Sequence, residues 1–240
     1  MNDKFLTAIQ RNHLATGASE LGVALSDQQI DQLDLFASFL YQWNERMNLT
    51  RVASADVVPL HFLDSLSAHC AVDLSGGGKL LDIGTGAGFP GIPLKIAFPE
   101  LDLTLLDSTR KRLVFLASLI QELGLKGIET VHARAEDAGR KPDYREKFDF
   151  AVARAVAPMN RLAGWLLPFV RARGFAVALK SDSAELEIQA ASAAIRLAGG
   201  GPPRTVSVRI PGTEIDRQIA VIRKIKVRAT NTKRRPPTSR

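Results

Sequence analysis

The sequence contains little of what a secreted, membrane-spanning or cysteine-rich metal protein needs. Its 240 residues include one cysteine, Cys70, so neither an internal disulfide nor a cysteine metal cluster can form. The four histidines lack the spacing of metal ligands, and we predict no metal site. No apolar run reaches the ~18 residues of a membrane span, and the opening MNDKFLTAIQRN lacks the apolar core of a signal peptide. We therefore expect a cytoplasmic protein without a membrane partner.

Positive charge is concentrated at the C-terminal end of the chain. The whole sequence has 32 Lys and Arg against 25 Asp and Glu, a net charge of +7. Residues 201–240 hold eleven Lys and Arg but only two acids, Glu214 and Asp216, so the rest of the chain is slightly acidic. Such a run favours binding to a polyanion, nucleic acid above all, but it is equally typical of a solvated tail without a specific partner. We predict that residues 229–240 form a basic, disordered tail.

The order of apolar segments predicts two units ahead of this tail. Residues 1–75 follow a helical pattern, in which Ser26 and Gln29 have capping-box spacing. From residue 76 to 228, short apolar runs alternate with longer amphipathic ones. This order indicates an α/β fold with a mostly parallel sheet, helices on both faces and a closing antiparallel hairpin. Residues 159–173 and residues 184–200 are each predicted to form one helix.

A glycine-rich turn follows the first predicted strand. The stretch LLDIGTGAGFPG, residues 80–91, places Gly84, Gly86 and Gly88 in the first βα turn, where such sheets bind ligands. A P-loop is excluded, because no Gly-Lys-Ser/Thr sequence follows. A dinucleotide fingerprint fits poorly, because the third glycine comes one residue early and the carboxylate of Asp82 would repel a pyrophosphate. A plain tight turn that binds nothing is the third alternative.

Two carboxylates favour a different ligand. Asp82 precedes the glycines and suits a ligand that carries an amino group, whereas Asp107 ends the second strand, where a carboxylate can accept both hydroxyls of a ribose. A ligand with a ribose and an amino-acid portion but no phosphate is S-adenosylmethionine. We therefore predict S-adenosylmethionine as the cofactor, in contact with Asp82, Gly86, Gly88 and Asp107.

The motifs around this turn resemble those of the bacterial RsmG (GidB) methyltransferases. The stretch LLDIGTGAGFPGIPLKIAFPELDLTLLDS is similar to the family's cofactor segment, and ordinary class I methyltransferases lack its GxGFPGIPL extension. YQWNERMNLTRV and HFLDSL precede it, and RKRLVFL, ARAEDAG, FDFAVARAVAP and FAVALKS follow in the family's order. The resemblance covers residues 33–181 and does not reach the basic tail.

This resemblance implies a class I, Rossmann-like methyltransferase fold with a small helical extension at the N-terminus. It also implies methyl transfer from S-adenosylmethionine to N7 of a guanine in 16S ribosomal RNA, either as free RNA or within the small ribosomal subunit. By motif position, it assigns cofactor contacts to Gly84, Phe89, Ala135, Glu136 and Arg154.

Further residues are candidates for contact with the substrate. N7 of guanine has a lone pair and loses no proton, so we expect no obligatory general base. Arg154 and Lys180 end the fourth and fifth strands, and we predict that they are the residues nearest the chemistry and contact the substrate and its phosphates; a surface ion pair is the alternative. We predict that the substrate side of the pocket is lined by Asn48, His61 and Asp64. A lone His or Asp on an amphipathic helix, however, more often caps a helix end or holds a neighbouring side chain in place.

Two other classes of function compete with this one. A non-catalytic RNA-binding protein with a vestigial cofactor fold would not need Asp82, Gly84, Gly86 and Asp107 together. A class I methyltransferase that acts on a small molecule or a protein is disfavoured by the basic tail and by the helical extension.

Overall fold

The first part of the chain is helical. A computed structural model describes residues 4–181 and 184–225, and the predicted tail at 229–240 lies outside them. The capping box predicted at Ser26 and Gln29 is confirmed, and Thr7 and Gln10 form another. The helical elements are α1 (Ala8–Glu20), α2 (Asp27–Met47), a 3₁₀ helix (Ser54–Asp56), a π-helix (Val58–Leu63), α3 (Asp64–Leu66) and a second 3₁₀ helix (Ser67–Cys70).

Strands and helices then alternate, as the apolar pattern predicts. The strands are β1 (Gly78–Ile83), β2 (Leu101–Asp107), β3 (Ile128–His132), β4 (Phe148–Arg154), β5 (Val170–Ser181), β6 (Arg204–Arg209) and β7 (Asp216–Arg223). The helices between them are α4 (Gly91–Ala97), α5 (Arg110–Glu122), α6 (Ala135–Ala138), α7 (Met159–Leu166), α8 (Glu185–Ala190) and α9 (Ser192–Leu197).

The seven strands form one sheet in the order β3-β2-β1-β4-β5-β7-β6. Strands β1 to β5 are parallel to their neighbours among themselves, whereas β7 runs antiparallel to both β5 and β6. The mostly parallel sheet and its closing hairpin are therefore confirmed. The order of the strands reverses between β1 and β4, because β2 and β3 lie on one side of β1, and β4 and β5 lie on its other side. The carboxyl ends of β1 and β4 therefore flank the crevice in which such folds bind ligands.

Apolar side chains fill a core on each face of the sheet. In β1, Leu80 belongs to one core and Leu81 to the other, because successive strand residues point to opposite faces. The first core also contains Leu33 of α2 and Leu116 of α5, and the second contains Leu162 of α7. The N-terminal helices thus share a core with the sheet. The boundaries predicted at residues 75 and 228 stay predictions.

Two predicted helices differ from the structure. The helix predicted over residues 159–173 is wrong in its second half, since α7 ends at Leu166 and β5 begins at Val170. Pro168 cannot continue a helix, and Val170 pairs with Phe148 of β4. The helix predicted over residues 184–200 is divided into α8 and α9 at Ala191. In the part of the chain that the structure describes, no helix has the length and apolar character to cross a membrane.

Candidate active site

A cavity of about 700 Å³ opens at the carboxyl ends of the central strands. Its wall includes most of the glycine turn after β1 (residues 84–87 and Phe89), Asp107 at the end of β2, residues 133–136 after β3 and Arg154 at the end of β4. Leu49 and His61 line it from the helical layer. The cavity therefore lies where the strand order reverses, and it brings together most of the predicted cofactor residues.

The glycine turn presents bare backbone to this cavity. Gly84 and Gly86 have φ values of +66° and +60°, a conformation that residues with a Cβ rarely adopt. A Cβ on Gly86 would meet no atom closer than 3.9 Å, so a side chain there would project into open space. Gly88 has a different role, since its Cβ would lie 2.8 Å from Ile92, and it is not part of the cavity wall.

Asp82 lies behind the turn and not on the cavity wall. Its side chain is fully buried, and Oδ2 accepts hydrogen bonds from the Thr85 hydroxyl (2.7 Å) and from the Gly91 N–H (2.8 Å). Oδ1 has no hydrogen-bond partner among the described residues. Burial raises the pKa of this carboxyl to about 6. Asp82 thus links Thr85, near the start of the turn, to Gly91, at its end. It does not line the cavity.

Asp107 faces the cavity and connects three segments. Its Oδ2 accepts hydrogen bonds from the N–H of Gly86 (3.0 Å) and from Arg112 (3.3 Å), and its Oδ1 accepts one from the N–H of Thr109 (2.7 Å). The carboxylate therefore fixes the glycine turn against the start of α5. Ala135 and Glu136, which begin α6, line the same cavity beyond β3.

An aromatic stack joins the glycine turn to the helical layer. The ring of Phe89 stacks on His61, with centroids 4.2 Å apart, and on Phe36, with centroids 5.0 Å apart. The guanidinium carbon of Arg154 lies 4.9 Å from the Phe89 centroid. Phe89 is largely buried yet contributes to the cavity wall, so the predicted residues Phe89, His61 and Arg154 meet at one end of the cavity.

His61 is held as a neutral imidazole. Its Nδ1 lies 3.1 Å from Nη2 of Arg154, and its Nε2 lies 2.7 Å from Oγ1 of Thr50. Since arginine can only donate, Nδ1 accepts and the ring proton belongs on Nε2, which donates to Thr50. Burial, with a further contribution from the charge of Arg154, lowers the pKa of His61 to about 3. Neither ring nitrogen is free to take a proton from a substrate.

Asp64 binds two arginines at once. Its Oδ2 lies 2.8 Å from Nη1 of Arg154, and its Oδ1 lies 2.6 Å from Nε of Arg217. Arg154 also donates to the carbonyl of Leu60 (3.2 Å), within the π-helix, and Arg217 donates to the carbonyl of Lys180 (3.3 Å). Asp64 is buried and does not reach the cavity wall, so it supports Arg154 from behind.

Arg217 was missed by the sequence analysis. It is the second residue of β7, in the stretch DRQIAVI, and no motif distinguishes it from other basic residues near the C-terminus. Its position follows from the antiparallel register of β7 with β5, which pairs Arg217 with Ser181. That pairing brings it to the carboxyl ends of the parallel strands.

Two further predicted substrate residues, Lys180 and Asn48, are, like Asp64, not part of the cavity wall. Lys180 forms an ion pair with Glu187 (2.8 Å) and donates to the carbonyl of Ala157 (3.0 Å), so its ammonium group already has two partners within the protein, and its predicted contact with the substrate stays a prediction. Asn48 ends α2 with a φ of +48°, and it is its neighbour Leu49 that lines the cavity. Within residues 4–181 and 184–225, no group of three or more His, Cys, Asp or Glu side chains is placed to hold a metal ion.

The sheet order, the glycine turn after β1 and the carboxylate at the end of β2 define the fold of the class I methyltransferases. A solved methyltransferase from Pyrococcus furiosus has a similar fold, with a TM-score of 0.55 and 14% identity over 79% of this chain and 98% of that one. A 1,6-didemethyltoxoflavin-N1-methyltransferase from Burkholderia thailandensis, solved with S-adenosylhomocysteine, gives a TM-score of 0.52 and 16% identity over 80% of this chain and 88% of that one.

Sequence similarity then identifies the family. The model of GidB, rRNA small subunit methyltransferase G, matches residues 29–218. Proteins named ribosomal RNA small subunit methyltransferase G are 44% identical in Alkaliphilus metalliredigens (94% of this chain, 95% of that one) and 46% identical in Acetivibrio thermocellus (93% and 91%). The Bacillus subtilis protein is 42% identical (93% and 94%). The chain therefore belongs to the rRNA small subunit methyltransferase G family, and the resemblance seen in its motifs is confirmed.

Proposed function

We propose that this protein transfers a methyl group from S-adenosylmethionine to N7 of a guanine in 16S ribosomal RNA. Membership of the rRNA small subunit methyltransferase G family supports the RNA substrate. The observation that carries the choice of N7 is the state of the residues beside Arg154. His61 is neutral with both nitrogens engaged, and Asp64 is bound by two arginines, so neither is available as a base.

The cavity suits S-adenosylmethionine in its shape and in its charge. Gly84 and Gly86 allow a ligand to approach the backbone, and Asp107 presents a carboxylate that would hold the ribose hydroxyls. Ala135 and Glu136 lie beyond β3, where they would meet the adenine. The buried Asp82 behind the turn disfavours a pyrophosphate and favours a cationic ligand. When bound, this cofactor supplies a methyl group on a positively charged sulfur.

Methylation at N7 removes no proton, so the protein does not need to supply a base. Its residues need only hold the guanine in position. The lone pair of N7 is the nucleophile, so the demand on the protein is alignment and exclusion of water. Among the described residues, the acids on the cavity wall are Asp107 and Glu136, and both lie on the far side of β1 from Arg154. A reaction that needs a carboxylate base beside the target would be poorly served by this arrangement.

Arg154 is the residue that borders both the cofactor and the substrate side. Three contacts hold its guanidinium, from Asp64, His61 and the carbonyl of Leu60. Asp64 is shared with Arg217, so these three charged groups together keep one net positive charge. That charge suits a phosphate of the RNA next to the target nucleotide. We further propose that the enzyme acts in the cytoplasm, without a resident metal, on the RNA either free or within the small ribosomal subunit.

The proposal is tested by the chemistry of the product. A guanine methylated at N7 has a fixed positive charge and a labile glycosidic bond, so borohydride followed by aniline cleaves the RNA there. Ribosomal RNA from cells that contain the protein should be cut at one guanine, and RNA from cells that lack the gene should stay intact. Methylated RNA that resists cleavage would overturn N7, and unchanged methylation in cells without the gene would overturn the substrate.

A further inference from the structure

Two arginines on the cavity wall have no ionic partner among the described residues. Arg134 directly precedes α6, and Arg161 lies in the first turn of α7. Both side chains line the cavity and both residues are exposed. In the described part of the chain, neither guanidinium forms an ion pair or a hydrogen bond. Their charge is therefore available to a ligand.

The other two arginines of the wall each have an ionic partner. Arg112 pairs with Asp107 at 3.3 Å, and Arg154 pairs with Asp64 at 2.8 Å. Among the described residues of the wall, the guanidinium groups without an ionic partner thus lie in the two segments that follow β3 and β4. These segments form one side of the cavity mouth, because α6 packs against α7.

The proposed cofactor does not account for this charge. S-adenosylmethionine has one anionic group, the carboxylate of its amino-acid portion, and its sulfur is positive. Arg134 precedes the Ala135–Glu136 pair assigned to the adenine, which is the end of the cofactor without a carboxylate. The carboxylate of the cofactor would therefore not reach Arg134, and the charge of the two exposed guanidinium groups is available to a separate anion.

A third residue indicates what kind of anion binds. Trp165 follows Arg161 by four residues on α7, so the two side chains share a face of the helix, and both line the cavity. Cationic side chains beside an aromatic ring are typical of grooves for single-stranded nucleic acid, where phosphates meet the cations and bases stack on the ring. The opposite face of α7, with Leu162 and Leu166, is buried in the core.

We infer that Arg134 and Arg161 bind backbone phosphates of the RNA strand next to the target guanine, an inference that rests on the proposed function. The strand then crosses the cavity mouth over the loops after β3 and β4. The target base must be unpaired or flipped out of its helix, because a base stacked within a duplex cannot enter the cavity. The phosphate contacts set the position of the strand, and they carry no sequence information themselves.

The test replaces the charge at each arginine in the full-length protein. Arg134→Gln, Arg161→Gln and the double variant are compared with Arg134→Lys and Arg161→Lys, which keep the charge. Arg196→Gln is the matched control, because Arg196 is also exposed and unpaired in the described part of the chain but lies on α9, outside the cavity. Equilibrium binding to a 16S rRNA transcript is measured over a range of salt concentrations, and S-adenosylhomocysteine binding is measured by calorimetry.

Each Arg→Gln change should make the slope of log K against log salt shallower by about 0.7. The KM for RNA should rise, the kcat at saturating RNA should persist, and the affinity for S-adenosylhomocysteine should stay within about twofold. The Lys variants and Arg196→Gln should keep the parent slope. An unchanged slope in the double variant, or a loss confined to S-adenosylhomocysteine binding, would overturn the inference. If the unaltered protein methylates neither the transcript nor the small ribosomal subunit, the proposed function itself fails, and that result is distinct from a change in the salt slope.

Discussion

Arg154 and Asp64 form an ion pair, with 2.8 Å between Nη1 and Oδ2, that joins the end of β4 to the short helix α3. The pair is more than a surface contact, because only 2% of the Asp64 side chain is exposed and the second oxygen binds Arg217. The carboxylate of Asp64 thus connects Arg154, on the cavity wall, to Arg217 of β7, near the C-terminal end of the sequence. Breaking a buried pair of this kind leaves an unbalanced charge, which costs far more than a surface pair is worth.

Asp64→Asn should therefore strongly reduce activity. An amide has one acceptor oxygen, so it can serve Arg154 or Arg217 but must point its NH₂ group at the other guanidinium. We expect kcat/KM to fall at least tenfold, by the loss of about 1.4 kcal/mol or more of transition-state stabilisation, and the free energy of unfolding to fall by about 3 kcal/mol. Kinetics and urea unfolding measure the two effects. Asp73→Asn, at an exposed carboxylate that accepts hydrogen bonds from Ser75 and has no arginine partner among the described residues, is the control. Equal behaviour of the two variants would contradict the role assigned to Asp64.

Gly86→Val should abolish cofactor binding while the fold persists. A β-branched residue is strained at a φ of +60°, and its side chain would project into the cavity. Gly124→Val separates these causes, because Gly124 has a φ of +61° and open space around it but lies at the end of α5, away from the cavity. Both variants should lose about 1–2 kcal/mol of stability, yet only Gly86→Val should lose S-adenosylhomocysteine binding in calorimetry. If Gly86→Val keeps its affinity for S-adenosylhomocysteine, the glycine turn is not the cofactor site.

Asp107→Ala should weaken cofactor binding by about 1–3 kcal/mol, the cost of losing hydrogen bonds to a charged acceptor. The change also frees the N–H of Gly86, so the glycine turn loses a contact at 3.0 Å. Asp149→Ala is the matched control: Asp149 likewise accepts from a backbone N–H, that of Lys79, and from an arginine, Arg171, but it lies near the start of β4, at the amino ends of the parallel strands. Isothermal titration with S-adenosylhomocysteine should distinguish the two variants. If both lose affinity equally, Asp107 acts through stability and not through the ligand.

His61 should make the protein less stable as the pH falls. Its pKa is lowered to about 3 in the folded state, whereas the unfolded chain takes up the proton near the ordinary value of 6.5. Below that value the unfolded state binds more protons, so the free energy of unfolding decreases as the pH decreases. Between pH 7.5 and 5.5, the unaltered protein should lose about 1 kcal/mol more than His61→Gln does. Urea unfolding at the two pH values measures this difference, and equal losses would show that His61 is not held neutral.

The rate of methyl transfer should depend little on pH through the neutral range. A ring nitrogen with its own lone pair needs no base, and His61 keeps one protonation state there, so the bell-shaped profile of an acid–base pair is not expected. His61→Ala should reduce activity through the position of Arg154, whose Nη2 loses a contact at 3.1 Å. Single-turnover rates over about two pH units around neutrality provide the measurement. A steep limb that disappears in His61→Ala would contradict the base-free mechanism.

The sequence by itself determined the features that arise from neighbouring residues. The capping box of Ser26 and Gln29 depends on side chains three positions apart, and it forms as the spacing predicts. The glycine turn and Asp107 follow short apolar runs that form parallel strands. Because parallel strands point the same way, their carboxyl ends lie side by side, and this brings the two features together. The α/β class, the cofactor cavity and the family could all be read from these local patterns.

Only the tertiary structure decided which distant residues meet. Asp64 contacts Arg154 and Arg217 across 90 and 153 positions of sequence, and the second contact depends on how β7 pairs with β5. The same packing places Asp82 behind the turn and pairs Lys180 with Glu187. Local patterns report backbone preference and burial, whereas the partner of a charged side chain is set by the register of strands and by which groups must be neutralised when water is excluded.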